Sequence, residues 1–250
     1  MQKISAKLVN VRELANSVKQ FDFDAGFDAG FDFKAGQFVL LKVDDDKEPA
    51  VTRAYSIASA PVNANMAASK IDGADLRKFS LCVKLIEGGR AGEYLREMKV
   101  GDEAEFQGPF GHFVLNEQCE NVIFVATGVG IAPFMSMLEV LFDRDFAGQM
   151  TLYFGVRNTD ELFYEKELAA WEAAHENFKV VKTLSRPEKD WNGERGRVTA
   201  HLADLDFDTE CTDVFICGNG MMVKEVKGMM EEKGLAKEQL HFEMFTPMGG

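Results

Sequence analysis

At 250 residues the chain exceeds what one minimal core needs, and ordinary domain sizes point to two domains. Apolar residues make up 46% and charged residues 28%, which excludes a disordered or low-complexity chain, and a formal net charge of −13 counts against nucleic-acid binding and slows encounter with acidic proteins. No run is long and apolar enough for a membrane span or a signal peptide, so a soluble cytoplasmic protein is expected.

From residue 4 to about residue 113 the pattern is one of short strands broken by Gly, Pro and Asp. The expected strands are Ile4 to Val11, Val18 to Phe23, Gln37 to Val43, Arg53 to Ser59, Lys78 to Ile86 and Asp102 to Gln107, with one helical turn at Glu93 to Met98. Strands this short and closely spaced suggest a small antiparallel β-barrel. The loose repeat of Asp22 to Phe33 and the acidic run Asp44 to Asp46 read as solvated hairpins, because neither spaces its acids like a calcium loop.

Beyond residue 118 the period changes. The runs Asn121 to Ala126, Met150 to Phe154, Phe178 to Lys182 and Asp213 to Cys217 are continuous apolar strands of parallel-sheet type. Helices alternate with them: Phe134, Met137, Leu138 and Leu141 form one stripe, Leu168 and Trp171 lie on a second helix, and Met222, Val223, Val226, Met229 and Met230 line a third. These stripes read as core. The expected architecture is a β-barrel domain over residues 1–115, followed by a parallel α/β nucleotide-binding domain over 118–250.

Two segments carry chemistry. The first α/β strand runs into Thr127-Gly128-Val129-Gly130-Ile131-Ala132-Pro133, with a helix expected from Pro133. Glycines that admit a ligand to the backbone, and a helix start that offers free amides, suit a pyrophosphate, although a tight turn explains the same residues. The third glycine of the common dinucleotide fingerprint is replaced by Pro133, and no acid follows about 20 residues on, so a conventional Rossmann dehydrogenase is disfavoured. In the barrel half, Arg53, Tyr55 and Ser56 set a cation, an aromatic and a hydroxyl along one strand, the kind of set a flavin needs, although the run by itself also reads as an ordinary half-buried strand. The four cysteines, Cys82, Cys119, Cys211 and Cys217, form neither a CxxC pair nor an iron–sulfur spacing, and the histidines form no metal-binding pair.

An ordered series of motifs resembles the ferredoxin-NADP reductase superfamily along nearly the whole chain. They are Gly36-Gln37-Phe38, Arg53 to Ser56, Gly88 to Leu95, Gly108 to Gly111, Gly128 to Pro133, Phe154 to Arg157, Ser185-Arg186 and Cys217-Gly218. The resemblance implies an FAD-dependent NAD(P)H reductase that passes electrons to a one-electron acceptor of ferredoxin, flavodoxin or oxygenase type. It places Arg53 on the flavin diphosphate, Tyr55 against the flavin, Ser56 at flavin N5, and Gly88, Gly89, Arg90, Ala91, Gly92 and Glu93 around the phosphate. Gly92 departs from the family, whose members usually carry Ser or Thr there, which leaves FMN as a competitor of FAD. Gly128, Gly130 and Pro133 are implied in dinucleotide binding, with Thr127, Cys217 and Gly218 near the nicotinamide. Cys217 alone reads equally as a buried structural thiol. Glu243 and Phe245 in the final HFEMF segment are implied beside the flavin, or simply form a buried edge strand. Arg157 is implied in dinucleotide binding, and Ser185, Arg186 and Arg197 supply planar cations and a hydroxyl for an adenosine 2′-phosphate, which puts NADPH ahead of NADH, although Arg186 and Arg197 also read as surface cations balancing Glu188, Asp190 and Glu194. The alternatives are a flavin-binding relay or regulatory subunit of a larger complex, and a reductase of free flavin or quinone.

Overall fold

The structure, a computed structural model, describes residues 2–26, 31–61, 78–116 and 119–245. Part of the loose repeat (residues 27–30) and part of the expected domain junction (residues 117–118) lie outside them. Two compact units are formed. The first gathers residues up to Val114 together with Ala132–Arg144, and the second gathers Leu115–Ile131 with the chain from Asp145 onward.

The first unit contains six antiparallel strands, β1 (Lys3–Ala15), β2 (Val18–Asp24), β3 (Phe38–Val43), β4 (Val51–Ser56), β5 (Lys78–Lys84) and β6 (Glu103–Phe110), in the order β4-β3-β6-β1-β2-β5. The edges β4 and β5 meet just past Ser56, where Ile57 bridges Leu81 and the Ala58 amide donates to the Ser80 carbonyl at 2.8 Å. That junction closes the sheet into the expected barrel. Alternation drives it: Ile4, Ala6 and Leu8 are buried while Lys3, Ser5 and Lys7 are exposed. Phe23 sits edge-on to Phe106 at 4.9 Å in a core that also takes Phe21 and Phe79. The helix α1 (Arg90–Glu97) begins earlier than the sequence suggests, inside the glycine run, with Gly89 as its N-cap.

The helix α2 (Ala132–Asp143) groups with this unit rather than with the sheet that precedes it. Phe134 packs against Phe113 at 5.9 Å, the Glu139 carboxylate accepts the Ala60 amide at 2.7 Å, and Gly36 lies so close that a Cβ there would collide with the Phe113 carbonyl and Met137. α2 opens at Ala132 and not at Pro133, because Gly128–Ile131 form a 3₁₀ turn that leads straight into it.

The second unit is a parallel sheet of β7 (Asn121–Thr127), β8 (Met150–Val156), β9 (Phe178–Leu184), β10 (Glu194–Arg195), β11 (Thr212–Asn219) and β12 (Leu240–Phe245), in the order β10-β9-β8-β7-β11-β12. The helices α3 (Glu165–Ala174) and α4 (Gly220–Glu232) complete it. Strand order reverses beside β7, so the carboxyl ends of β7 and β11 form the switch point where open α/β sheets bind ligands. The sequence reading missed the two-residue β10, which is too short to show a period. The HFEMF segment is an edge strand, paired only with β11 among the described residues.

Candidate functional site

On β4, Arg53 and Tyr55 are half-buried while Thr52 and Ala54 are exposed, as alternation requires. Tyr55 packs on the barrel core, and burial pushes its hydroxyl up to about 12 against the opposing pull of Arg53. The Arg53 guanidinium bonds only the Thr52 carbonyl, at 2.9 Å, and meets no carboxylate among the described residues. Ser56 is buried. A cation, an aromatic and a hydroxyl thus share one strand. The motifs at 36–38 and 108–111 meet nearby, where the Gln37 side chain donates to the Gly111 carbonyl at 3.2 Å and the Ile57 amide donates to the Gln37 carbonyl at 2.9 Å.

The turn from β5 into α1 presents backbone. Gly88 adopts φ +72 with open space where a Cβ would stand, and α1 has no side-chain cap, so the amides of Arg90, Ala91 and Gly92 lack intrahelical partners. Gly92 is buried where a Cβ would press on the Ile86 carbonyl at 3.2 Å and the Ile86 amide at 3.3 Å, a close approach that explains glycine at this position. The resemblance asks only for the backbone of Arg90, and its side chain is engaged by the protein. Its guanidinium forks onto Asp45 at 2.7 and 2.6 Å and also donates to the carbonyls of Lys47 and Pro49, each at 2.7 Å. Only its backbone remains for a ligand. The ion pair holds the Asp45 carboxyl down at about 2. Glu93 is half-buried in the first turn of the same helix.

At the sheet's switch point the two strand ends interlock through glycines. A Cβ on Gly130 would strike the Cys217 carbonyl, and one on Gly218 (φ +136) would strike the Thr127 hydroxyl and backbone. The Asn219 amide donates to the Thr127 hydroxyl at 3.0 Å, and the Asn219 side chain caps α4 through the Met221 amide at 3.0 Å. Gly128 (φ +54) stands open. Cys217 is fully buried, in register with Glu243 on β12. Burial and the neighbouring Glu243 push the Cys217 thiol well up, and burial alone raises the Glu243 carboxyl from 4.5 to about 7. Phe245 ends β12 in register with Asn219, and Pro133 is buried in the first turn of α2.

The ends of β8 and β9 are tied together. The Ser185 amide donates to the Val156 carbonyl at 3.1 Å, the Arg186 amide to the Arg157 carbonyl at 2.6 Å, and the Gly196 amide to the Leu184 carbonyl at 2.8 Å. These bonds gather the segments carrying Arg157, Ser185, Arg186 and Arg197 at one edge of the sheet. All three arginines are exposed, and the Arg157 backbone amide donates to the Glu161 carboxylate at 3.4 Å. The loop between β9 and β10 is internally fastened: Arg195 reaches the carbonyls of Glu188, Lys189 and Trp191 at 3.1, 3.1 and 2.7 Å, and the Trp191 indole donates to the Glu194 carbonyl at 3.0 Å.

The donor sets fit two phosphate-bearing cofactors: one cation and an uncapped helix start in the barrel, and a glycine cradle with exposed guanidiniums in the sheet. Residues 5–115 match the oxidoreductase FAD-binding domain family, and residues 124–228 the oxidoreductase NAD-binding domain family. The chain is 33% identical over 252 residues to ferredoxin–NADP reductase B of Sorangium cellulosum (strain So ce56), covering 98% of each. It is 30% identical over 248 residues to the glycine betaine monooxygenase reductase subunit of Pseudomonas aeruginosa (strain UCBPP-PA14), covering 96% of this chain but 64% of that protein, less than two thirds of its length. The solved structure of a ferredoxin NADP+ reductase from Neisseria gonorrhoeae with bound FAD and NADP superposes at TM-score 0.80 with 25% identity, covering 98% of this chain and 99% of that one. Fold and sites define an oxidoreductase with an FAD-binding barrel and an NAD-binding sheet. The chain belongs to the ferredoxin-NADP reductase superfamily. No helix among the described residues is long and apolar enough to cross a membrane.

The sequence reading missed Asp45 and Asn219. Asn219 stood just before a helical stripe, where an N-cap is expected, and that signal was available. Asp45 gave no signal, since its partner lies far along the chain.

Proposed function

We propose that this is an NADPH-dependent reductase with FAD in its barrel, delivering electrons to a redox-protein acceptor. When bound, the flavin takes a hydride from the nicotinamide and releases electrons singly. The chain supplies binding and orientation: Arg53 and the amides of Gly88 to Gly92 for the flavin phosphates, Tyr55 for the isoalloxazine, and the Ser56 hydroxyl for N5. Thr127, Gly128, Gly130, Cys217 and Gly218 hold the nicotinamide half, with Glu243 as a protonatable group beside Cys217. The oxygenase reductase relative supports an oxygenase component as acceptor. That no disulfide joins Cys82, Cys119, Cys211 and Cys217 is in keeping with a reducing, cytoplasmic setting. The family matches at 5–115 and 124–228 support a flavin domain over 1–115 and a nucleotide domain over 118–250.

The observation that carries the NADPH reading is the edge where backbone bonds gather the segments of Arg157, Arg186 and Arg197, all three exposed. Planar guanidiniums match a 2′-phosphate, whereas a free ribose hydroxyl calls for a carboxylate. Reducing the bound flavin in a stopped-flow instrument with NADPH and with NADH tests it. Wild type is expected to prefer NADPH, and Arg186→Ala to raise the KM for NADPH about tenfold while sparing NADH. Equal effects on both cofactors, or a wild-type preference for NADH, would overturn the NADPH assignment and leave the flavoenzyme standing.

A further inference from the structure

The connection between β3 and β4 spans residues 44–50, longer than a tight hairpin needs, and a loop of this length has little to order it from within. Arg90 orders it from outside. Its Nε and one terminal nitrogen grip both oxygens of Asp45, and its terminal nitrogens also take the Lys47 and Pro49 carbonyls. The Asp45 carboxylate, in turn, accepts the Lys47 amide at 3.3 Å. The pair is partly shielded, with side-chain exposures of 21% for Arg90 and 15% for Asp45. A planar fork on a carboxylate fixes both angle and distance, which a lysine point charge does not.

The two ends of this contact matter. Arg90 is the first residue of α1, so its guanidinium is attached to the turn whose amides stand uncapped. The loop it holds ends at Val51, the first residue of β4, two residues before Arg53. Backbone donors on one side and the loop that leads to a cation on the other are therefore joined by one ion pair. We propose that Arg90 and Asp45 form a positioning clamp that registers Arg53 against the amides of Gly88 to Gly92, so that both engage the phosphate of one bound flavin. The proposal rests on the flavin reading above. Neither Asp45 nor the Arg90 side chain touches the flavin in it; the clamp acts through Arg53 and the turn.

A role of this kind is selective for phosphate. Full-length protein stripped of flavin is titrated with FMN and with riboflavin, which share the isoalloxazine ring but differ in the phosphate. Asp45→Ala is expected to weaken FMN about tenfold, the size of a lost charge-assisted contact, and to leave riboflavin within about twofold. Asp45→Asn, which keeps the shape and removes the charge, is expected to do the same to a smaller degree, and serves if the alanine variant does not fold. Asp45→Glu, which can still present a carboxylate to the fork, is expected to recover part of the FMN affinity. Unchanged FMN affinity, or equal weakening of FMN and riboflavin, would overturn the clamp and leave the flavin reading intact. A wild-type chain that takes up neither FMN nor FAD would overturn the flavin reading itself, and the clamp with it.

Discussion

Two turns in this molecule bend a strand into a helical segment through glycine, and they are held by opposite means. The barrel turn at 88–92 is open at Gly88 and fastened by charge, through Arg90 and Asp45. The sheet turn at 127–131 has no ion pair among the described residues and is fastened by shape, with Gly130 against the Cys217 carbonyl and Gly218 against Thr127. A contact held by charge yields by degrees when a partner is altered. One held by backbone contact has no room to yield, since the atoms that would have to move belong to two adjacent strands.

The contrast breaks first at the glycines. Gly130→Ala is expected to cost about 3 kcal/mol of stability, because the added carbon meets backbone and not the flexible end of a side chain. Gly88→Ala meets only open space and is expected to cost about 1 to 2 kcal/mol, the strain of a left-handed conformation. Thermal melting of both variants decides the matter: similar losses would mean that the sheet turn is no tighter than the barrel turn.

Charge at the barrel is tested next. Arg53→Ala removes a cation whose guanidinium has no carboxylate partner among the described residues, so its loss is expected to fall on the ligand rather than on the fold. Flavin affinity is expected to drop by about 1.5 to 3 kcal/mol, read from equilibrium dialysis, with the melting temperature of the flavin-free protein little changed. A fall in that melting temperature comparable to that of Gly130→Ala would place Arg53 in the scaffold instead.

The smallest effect concerns protons, and here the two regions move in opposite directions. Asp45 is held down at about 2 by Arg90, so its contribution to stability is present above its ordinary value of 3.8 and is lost as pH falls toward 2. Glu243 is pushed up to about 7 by burial, so the folded chain binds a proton that the unfolded chain has released. Its contribution is present below 4.5 and is lost as pH rises toward 7. Glu243→Gln, measured by denaturant unfolding across that window, is expected to flatten the decline of stability with pH. A slope identical to wild type would show that Glu243 titrates normally.

Most of the barrel was legible because burial alternates with period two, as in Ile4, Ala6 and Leu8, and most of the sheet because strands buried on both faces read as unbroken apolar runs. What escaped shares a physical cause. Gly88 to Gly92 read as loop because glycine is a poor helix former, yet α1 starts within that run, where a Cβ on Gly92 would press on Ile86. The acid run Asp44 to Asp46 read as solvated charge because nothing in local spacing announces a guanidinium 45 positions away at Arg90. The grouping of α2 with the barrel was equally invisible, since Phe134, Met137, Leu138 and Leu141 mark a buried stripe without saying what covers it. The candidate site residues stood out as motifs. Their division of labour was not, because Arg53 and Arg90 look alike until their partners are known.

The loop fastened by Arg195 and Trp191 bears on the heat of nucleotide binding. A segment that is disordered in the free protein adds a large unfavourable entropy when it folds around a ligand, together with a negative heat-capacity change as its apolar groups leave water. In this loop the carbonyls of Glu188, Lys189, Trp191 and Glu194 already accept from Arg195 or the Trp191 indole before any ligand arrives. On the NADPH proposal, association of an adenosine phosphate with the neighbouring arginines is expected to need little ordering of this loop and to weaken as ionic strength rises.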